Sequence, residues 1–169
     1  MARVVVMGVA GCGKSTVGRA LAGALAVPFV DGDDLHTATN IEKMAAGIPL
    51  TDQDRWPWLD DVGHWLADHP GGGVVACSAL KRAYRDAIRR AAPDAAFVHL
   101  TAPRDVLAAR VDARSAVDAH FMGSRMLDSQ FADLEPLEGD EVGTEVRVDG
   151  VDADGAARSA ARWLGAARA

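Results

Sequence analysis

The chain has 169 residues, 49% of them apolar and 25% charged, a balance that fits one folded domain and excludes a disordered or membrane-embedded chain. A formal net charge of −6 excludes the broad basic face that nucleic-acid binding needs, so no nucleic-acid partner is expected. The longest N-terminal apolar run, Val4 to Met7, is too short for a membrane span or a signal-peptide core, which predicts a cytoplasmic protein with no membrane partner.

The first predicted strand, Arg3–Met7, is apolar on both faces of the pleat, as a parallel strand covered by helices requires. It runs into Gly8-Val9-Ala10-Gly11-Cys12-Gly13-Lys14-Ser15, which matches G-x-x-x-x-G-K-[ST], and a helix is predicted over Lys14–Leu25. That context, strand then loop then helix, gives the motif its meaning. The backbone N–H groups of Gly8, Ala10, Gly11, Cys12 and Gly13 are expected to cradle phosphates at the positive end of the helix. Lys14 then reaches the β- and γ-phosphates, Ser15 offers a hydroxyl to Mg²⁺, and Thr16 contacts the α-phosphate. The ligand expected is a nucleoside triphosphate with Mg²⁺. Cys12 and Cys77 have no paired spacing and read as free thiols, with Cys12 a small passive side chain rather than a redox switch.

The second predicted strand, Pro28–Val30, is followed by Asp31-Gly32-Asp33-Asp34-Leu35-His36. This places carboxylates past the C-terminal edge of a strand, where ligands bind in open α/β sheets. No acid follows the third predicted strand, Gly73–Cys77. Asp31 is therefore the carboxylate left to order Mg²⁺ or its waters, and Asp33 the one to accept a proton from a hydroxyl attacking the γ-phosphate.

Further strands are expected at Ala96–Leu100 and Thr144–Val148, and further helices at Pro57–Asp68, Lys81–Ala92, Asp105–Ala113, Ser124–Leu134 and Asp152–Ala167. Start signals are Thr51 with Asp54 in a capping box, Pro57 as a first helical residue, and Asp152 as an N-cap. The alternation predicts a three-layer α/β domain of the P-loop NTPase type spanning residues 1–169, with a five-stranded parallel sheet flanked by helices. Between two helical patterns, residues 111–124 are expected to form a lid bracketed by Arg110, Arg114 and Arg125, with Arg110 and Arg114 bringing charge to the transferred phosphoryl group.

The middle of the chain carries D-G-D-x-x-H from Asp31, N-I-x-K-M-x-x-G-x-P-L-x-D-x-D-R from Asn40, and C-S-A-L-K-x-x-Y-R from Cys77. Later come Ala119-His120-Phe121-Met122, Leu127-Asp128-Ser129-Gln130-Phe131 and Leu134-Glu135-Pro136-Leu137. This series resembles the P-loop gluconokinases, relatives of shikimate kinase, from the first strand to about Val148. The resemblance implies ATP-dependent phosphorylation of D-gluconate at its terminal hydroxyl, a homodimer, and a substrate-binding helical region over residues 36–69, with Asp33 and His36 facing the hydroxyls. A sugar acid also needs a cation for its carboxylate and polar groups for its hydroxyls, and these segments hold His36, Arg55, Lys81, Arg82, Arg85 and Gln130. Arg55 is the leading carboxylate partner, since a guanidinium can bind both oxygens in one plane. The plainer alternative makes Lys81, Arg82 and Arg85 the wet face of a helix, and has Trp56, Trp58 and Trp65 pack the helical region rather than touch the sugar.

The chain departs from the family at Arg114-Ser115-Ala116-Val117-Asp118-Ala119-His120-Phe121-Met122-Gly123, where R-x-G-H-F-M-P is shorter and ends in proline. Glycine there predicts a looser entry to the next helix. Two other readings stand beside gluconate: a kinase for another small hydroxylated acid such as shikimate, and a nucleotide-binding switch. The switch lacks the N-K-x-D segment that guanine reading needs.

Overall fold

The computed structural model describes residues 2–115 and 123–167, except the side chains of residue 115 and residues 123–125. The lid sequence from residue 116 to 122, including His120, Phe121 and Met122, and the Arg125 side chain lie outside the described residues.

Five strands, β1 (Arg3–Met7), β2 (Phe29–Asp31), β3 (Gly73–Ala76), β4 (Ala96–Thr101) and β5 (Gly143–Arg147), form one sheet in the order β2-β3-β1-β4-β5. Every neighbouring pair is parallel, with Val4 opposite both Val74 and Ala96. β1 sits in the middle because both of its faces are apolar. Val4 and Val6 point into one core with residues of α1 (Lys14–Leu25), α5 (Arg104–Ser115), α6 (Gly123–Asp133) and α7 (Ala153–Ala166). Val5 and Met7 point into the other, with α3 (Asp52–Ala67) and α4 (Arg82–Ala91). Each valine of β1 is fully buried, worth roughly 1.5–3 kcal/mol apiece relative to exposure. This is the three-layer parallel architecture the sequence predicts.

Two helices differ from the expectation. α3 begins at Asp52 rather than Pro57, because Thr51 and Asp54 complete a reciprocal capping box and set the start. Pro57 then lies in the second turn, on an exposed face, where water can take the carbonyl that proline leaves without a donor. α2 (Ala38–Ala45) is a separate short helix, capped by Thr37, whose hydroxyl accepts the Asn40 N–H at 3.2 Å.

Arg85 departs from its expected role. Its side chain is fully buried and forms a two-pronged pair with Glu141, at 2.7 and 2.8 Å. The remaining N–H groups donate to the carbonyls of Ala79, Leu80, Glu135 and Pro136. A guanidinium so saturated has no donor left for a substrate, so the structure removes Arg85 from the substrate residues. It ties α4 to the segment that leads into β5. Burial alone would raise the Glu141 pKa, but the Arg85 hydrogen bonds, the Glu138 N–H and nearby guanidinium charge bring it below the ordinary value. Arg85→Ala is expected to cost about 3–5 kcal/mol, since it strands a buried carboxylate. Urea unfolding checks this, with Arg90→Ala on the exposed face as the near-neutral comparison.

Candidate active site

The phosphate loop turns sharply out of β1. Gly8 has φ 138°, and a Cβ there would lie 2.7 Å from the Leu100 carbonyl oxygen and 2.9 Å from Cys12 Sγ; only glycine fits. Gly13, at φ 90°, is the N-cap of α1, which has neither a side-chain cap nor an acidic residue in its first turn. The orphan N–H groups of that turn and the positive helix end therefore face outward together, a ready anion site. Lys14 Nζ donates to the Val9 carbonyl at 3.2 Å, bending its charge back over the loop.

Asp31 ends β2 beside this loop. Its Oδ2 accepts the Ser15 hydroxyl at 2.5 Å and its Oδ1 accepts the Asp33 N–H at 3.2 Å, so one carboxylate joins the loop to the 3₁₀ turn Gly32–Leu35. Among the described residues no group of three or more His, Cys, Asp or Glu side chains could hold a metal. Ser15 with Asp31 suits a Mg²⁺ ion that takes most of its oxygens from phosphate and water.

The Asp33 carboxylate opens into the cleft with its side chain 85% exposed. The surrounding cleft walls, then Asp31 and more weakly Asp34, raise its pKa above the ordinary 3.8, against an opposing pull from Lys14. Proton affinity above that of a free carboxylate suits a group that accepts a proton.

His36 is held in one tautomer. Asn40 Nδ2 donates to the Asp54 carbonyl at 2.8 Å, which orients the amide, and the same nitrogen lies 3.3 Å from His36 Nδ1. Nδ1 is then the acceptor, and Nε2, 3.9 Å from Asp33 Oδ1, carries the hydrogen. The ring stacks on Trp58 with centroids 4.1 Å apart, and Trp58 Nε1 donates to the Gly32 carbonyl at 2.7 Å. Burial, and secondly the charge of Arg55, lowers the His36 pKa to about 4, so the ring is neutral near pH 7. Because the unfolded ring titrates near 6.5, the unfolded chain binds more protons between pH 4 and 6.5, and stability rises with pH across that window. The slope from this residue reaches at most about 1.4 kcal/mol per pH unit. His36→Gln is expected to remove that slope, read as the difference between the two proteins in denaturant midpoints from pH 4 to 7.

A cleft of about 660 Å³ brings Lys14, Ser15, Asp31, Asp33, His36, Arg55, Arg114 and Gln130 to one lining. Gln130 Oε1 accepts the Ala10 N–H at 2.6 Å, placing α6 against the phosphate loop. Met44, Ile48 and Leu50 form the apolar wall. Lys81 Nζ lies over the Tyr84 ring, 5.4 Å from its centroid, and 3.5 Å from both Asp52 and Asp133. Arg82 is turned away into pairs with Asp86, Glu138 and Asp140. Sequence reasoning gave Trp58 to packing alone and did not single out Tyr84 and Asp133 as lining residues, nor Asp52 as the partner of Tyr84. The one signal available was the spacing of Asp52 and Arg55, three apart on a helix.

A second cavity of about 420 Å³ lies beyond the loop, lined by Thr16, Val17, Arg110, Arg114, Val151 and Asp152 among others. Arg110 faces this cavity and donates to the Val148 carbonyl at 3.0 Å. Arg114 borders both cavities.

A parallel 2-3-1-4-5 sheet, a phosphate loop ahead of its first helix, and carboxylates at the next strand end define a P-loop kinase. The shikimate kinase family matches residues 10–134. The chain is 42% identical over 148 residues to the thermosensitive gluconokinase of Escherichia coli, covering 86% of this chain and 77% of that protein. It is 44% identical over 150 residues to the gluconokinase of Gluconobacter oxydans, covering 87% and 82% respectively. The crystal structure of a gluconokinase from Sinorhizobium meliloti superposes with a TM-score of 0.86 at 45% identity, covering 98% of this chain and 93% of that one. The chain belongs to the gluconokinase family.

Proposed function

We propose that this protein transfers the terminal phosphoryl group of ATP to the C6 hydroxyl of D-gluconate, giving 6-phospho-D-gluconate and ADP. The observation that carries the reading is that Lys14 and Asp33 line one cleft, so a phosphate on the loop and a hydroxyl at the second strand end can meet. Asp33 takes the hydroxyl proton as the oxygen bonds to the γ-phosphorus, and the bond from that phosphorus to the β,γ-bridging oxygen breaks. The charge gathering on the phosphoryl oxygens falls to Lys14, the loop N–H groups and Arg114. Ser15 and Asp31 would hold a Mg²⁺ ion, which would supply positive charge to offset that of the phosphates. The smaller cavity, with Thr16, Arg110 and Val151, receives the nucleoside.

On the acceptor side, neutral His36 offers its Nε2–H to a hydroxyl, Gln130 offers its amide, and Arg55 and Lys81 meet the carboxylate. Arg114, near the end of α5, borders both cavities and can turn its charge toward the phosphates. We place the enzyme in the cytoplasm as a homodimer; among the described residues no helix is long and apolar enough to cross a membrane, and sedimentation tests the assembly. Initial rates with Mg-ATP on gluconate, shikimate and a nucleoside test the reaction. Gluconate is expected to be the preferred acceptor, and turnover confined to shikimate or the nucleoside overturns the reading.

A further inference from the structure

At the acceptor end of the cleft, a single oxygen gathers three donors. Asp52 Oδ1 accepts the Tyr84 hydroxyl at 2.5 Å, lies 3.3 Å from Arg55 Nη1, and lies 3.5 Å from Lys81 Nζ. Arg55 Nη1 also donates to Tyr84 Oη at 3.2 Å, and Lys81 Nζ lies 3.5 Å from Asp133 Oδ1. Tyr84 is held edge-on by Trp56, ring centroids 5.6 Å apart. Two cations thus face two carboxylates, and the group is electrically balanced.

A balanced group is an unusual receiver for an anion. Two unpaired cations would attract any small acid, phosphate included, by charge alone. With the cations already shared, an entering carboxylate gains little from net charge, and selection passes to its hydroxyl pattern. The half-exposed position of Asp52, 46% accessible at the side chain, leaves its charge within reach of an incoming carboxylate while salt can still screen it.

We propose that Asp52 is a specificity-determining residue: it orients Arg55 and Tyr84 for the acceptor's carboxylate and at the same time weakens the attraction of that end for anions as a class. The inference rests on the gluconate reading above. It predicts opposite effects from two substitutions of one residue. Asparagine keeps an acceptor for Tyr84 and Arg55 but removes the opposing charge, whereas alanine removes both.

Steady-state kinetics and calorimetric titration of the intact protein, with D-gluconate and with the neutral hexitol sorbitol as binding probes, test this. Asp52→Asn is expected to lower the gluconate KM by about three- to fivefold at low salt, a range set by one screened charge at close approach. That gain shrinks at about 0.5 M salt, where the Debye length falls to a few ångströms, and it is absent for sorbitol. Asp52→Ala is expected to raise KM instead, with a smaller change in kcat. A merely structural aspartate would raise KM in both variants, and that result overturns the proposal, as does a gain that persists in high salt or extends equally to sorbitol. Wild-type protein that neither binds nor phosphorylates gluconate brings down the underlying reading along with the proposal. Wild-type turnover without the Asp52→Asn gain brings down the proposal alone.

Discussion

Asp33→Asn is expected to lower kcat by about two to four orders of magnitude, the range for loss of a positioned proton acceptor, and to raise the melting temperature at pH 7 only slightly, because the side chain is 85% exposed and water screens the shift. The first effect follows from the role proposed for the carboxylate; Asn keeps its size but has no comparable proton affinity. Nucleotide affinity should change far less than kcat, because Asp33 acts on the acceptor in the transition state. Equal losses in nucleotide binding and turnover would contradict the assignment.

The rise in stability follows from the sign of the pKa shift. An acid whose folded pKa lies above its unfolded 3.8 binds its proton more tightly in the folded state. Folding then loses stability as pH rises from 3.8 through the folded pKa, and the full penalty is present at pH 7. Asparagine carries no such penalty, so calorimetric scans should show a gain over wild type at pH 7 that disappears below pH 3.8. For the same reason, wild-type kcat/KM should fall on acidification with an inflection above 3.8.

Lys14→Ala is the second large effect. Removing a preorganised charge from the site where negative charge builds up costs on the order of 10²–10³ in kcat, and weakened triphosphate binding adds to the loss in kcat/KM. The fold should hardly notice. The ammonium donates to the Val9 carbonyl, the side chain is only half-buried, and a contact of this kind is worth about 1 kcal/mol. Turnover within a few-fold of wild type would contradict the placement of the γ-phosphate over this loop, and unfolding of the variant would show instead that the lysine is structural.

The parts of the molecule readable from sequence are those governed by local rules. β1, the phosphate loop and α1 were legible because an apolar run, three glycines and a lysine-serine pair stand in unbroken order, and each constrains the next. Asp31 and Asp33 were legible because a parallel strand must deliver its C-terminal residues to the ligand edge. Arg85 was not. It stands in a basic run at a helix start, and its partner Glu141 lies 56 residues away, a pairing that only the packed chain reveals. Which cavity Arg110 meets was not legible for a related reason: helical spacing fixes which residues share a face, but the rotation of α5 against the loop decides which cavity that face lines. At Pro57 two start signals competed, and the capping box won because it satisfies two backbone donors while proline merely tolerates the site. Asp52 escaped notice because an acid beside a cation on a helix ordinarily reads as a surface pair.

Phosphorus NMR of the wild-type protein turning over Mg-ATP with D-gluconate tests the central claim most directly, since that claim is that a loop-bound phosphate and a hydroxyl beside Asp33 meet in one cleft. One phosphomonoester on the terminal carbon of gluconate is expected for each ADP formed. ATP consumed with only inorganic phosphate released, or a phosphate appearing elsewhere on the sugar acid, would contradict it.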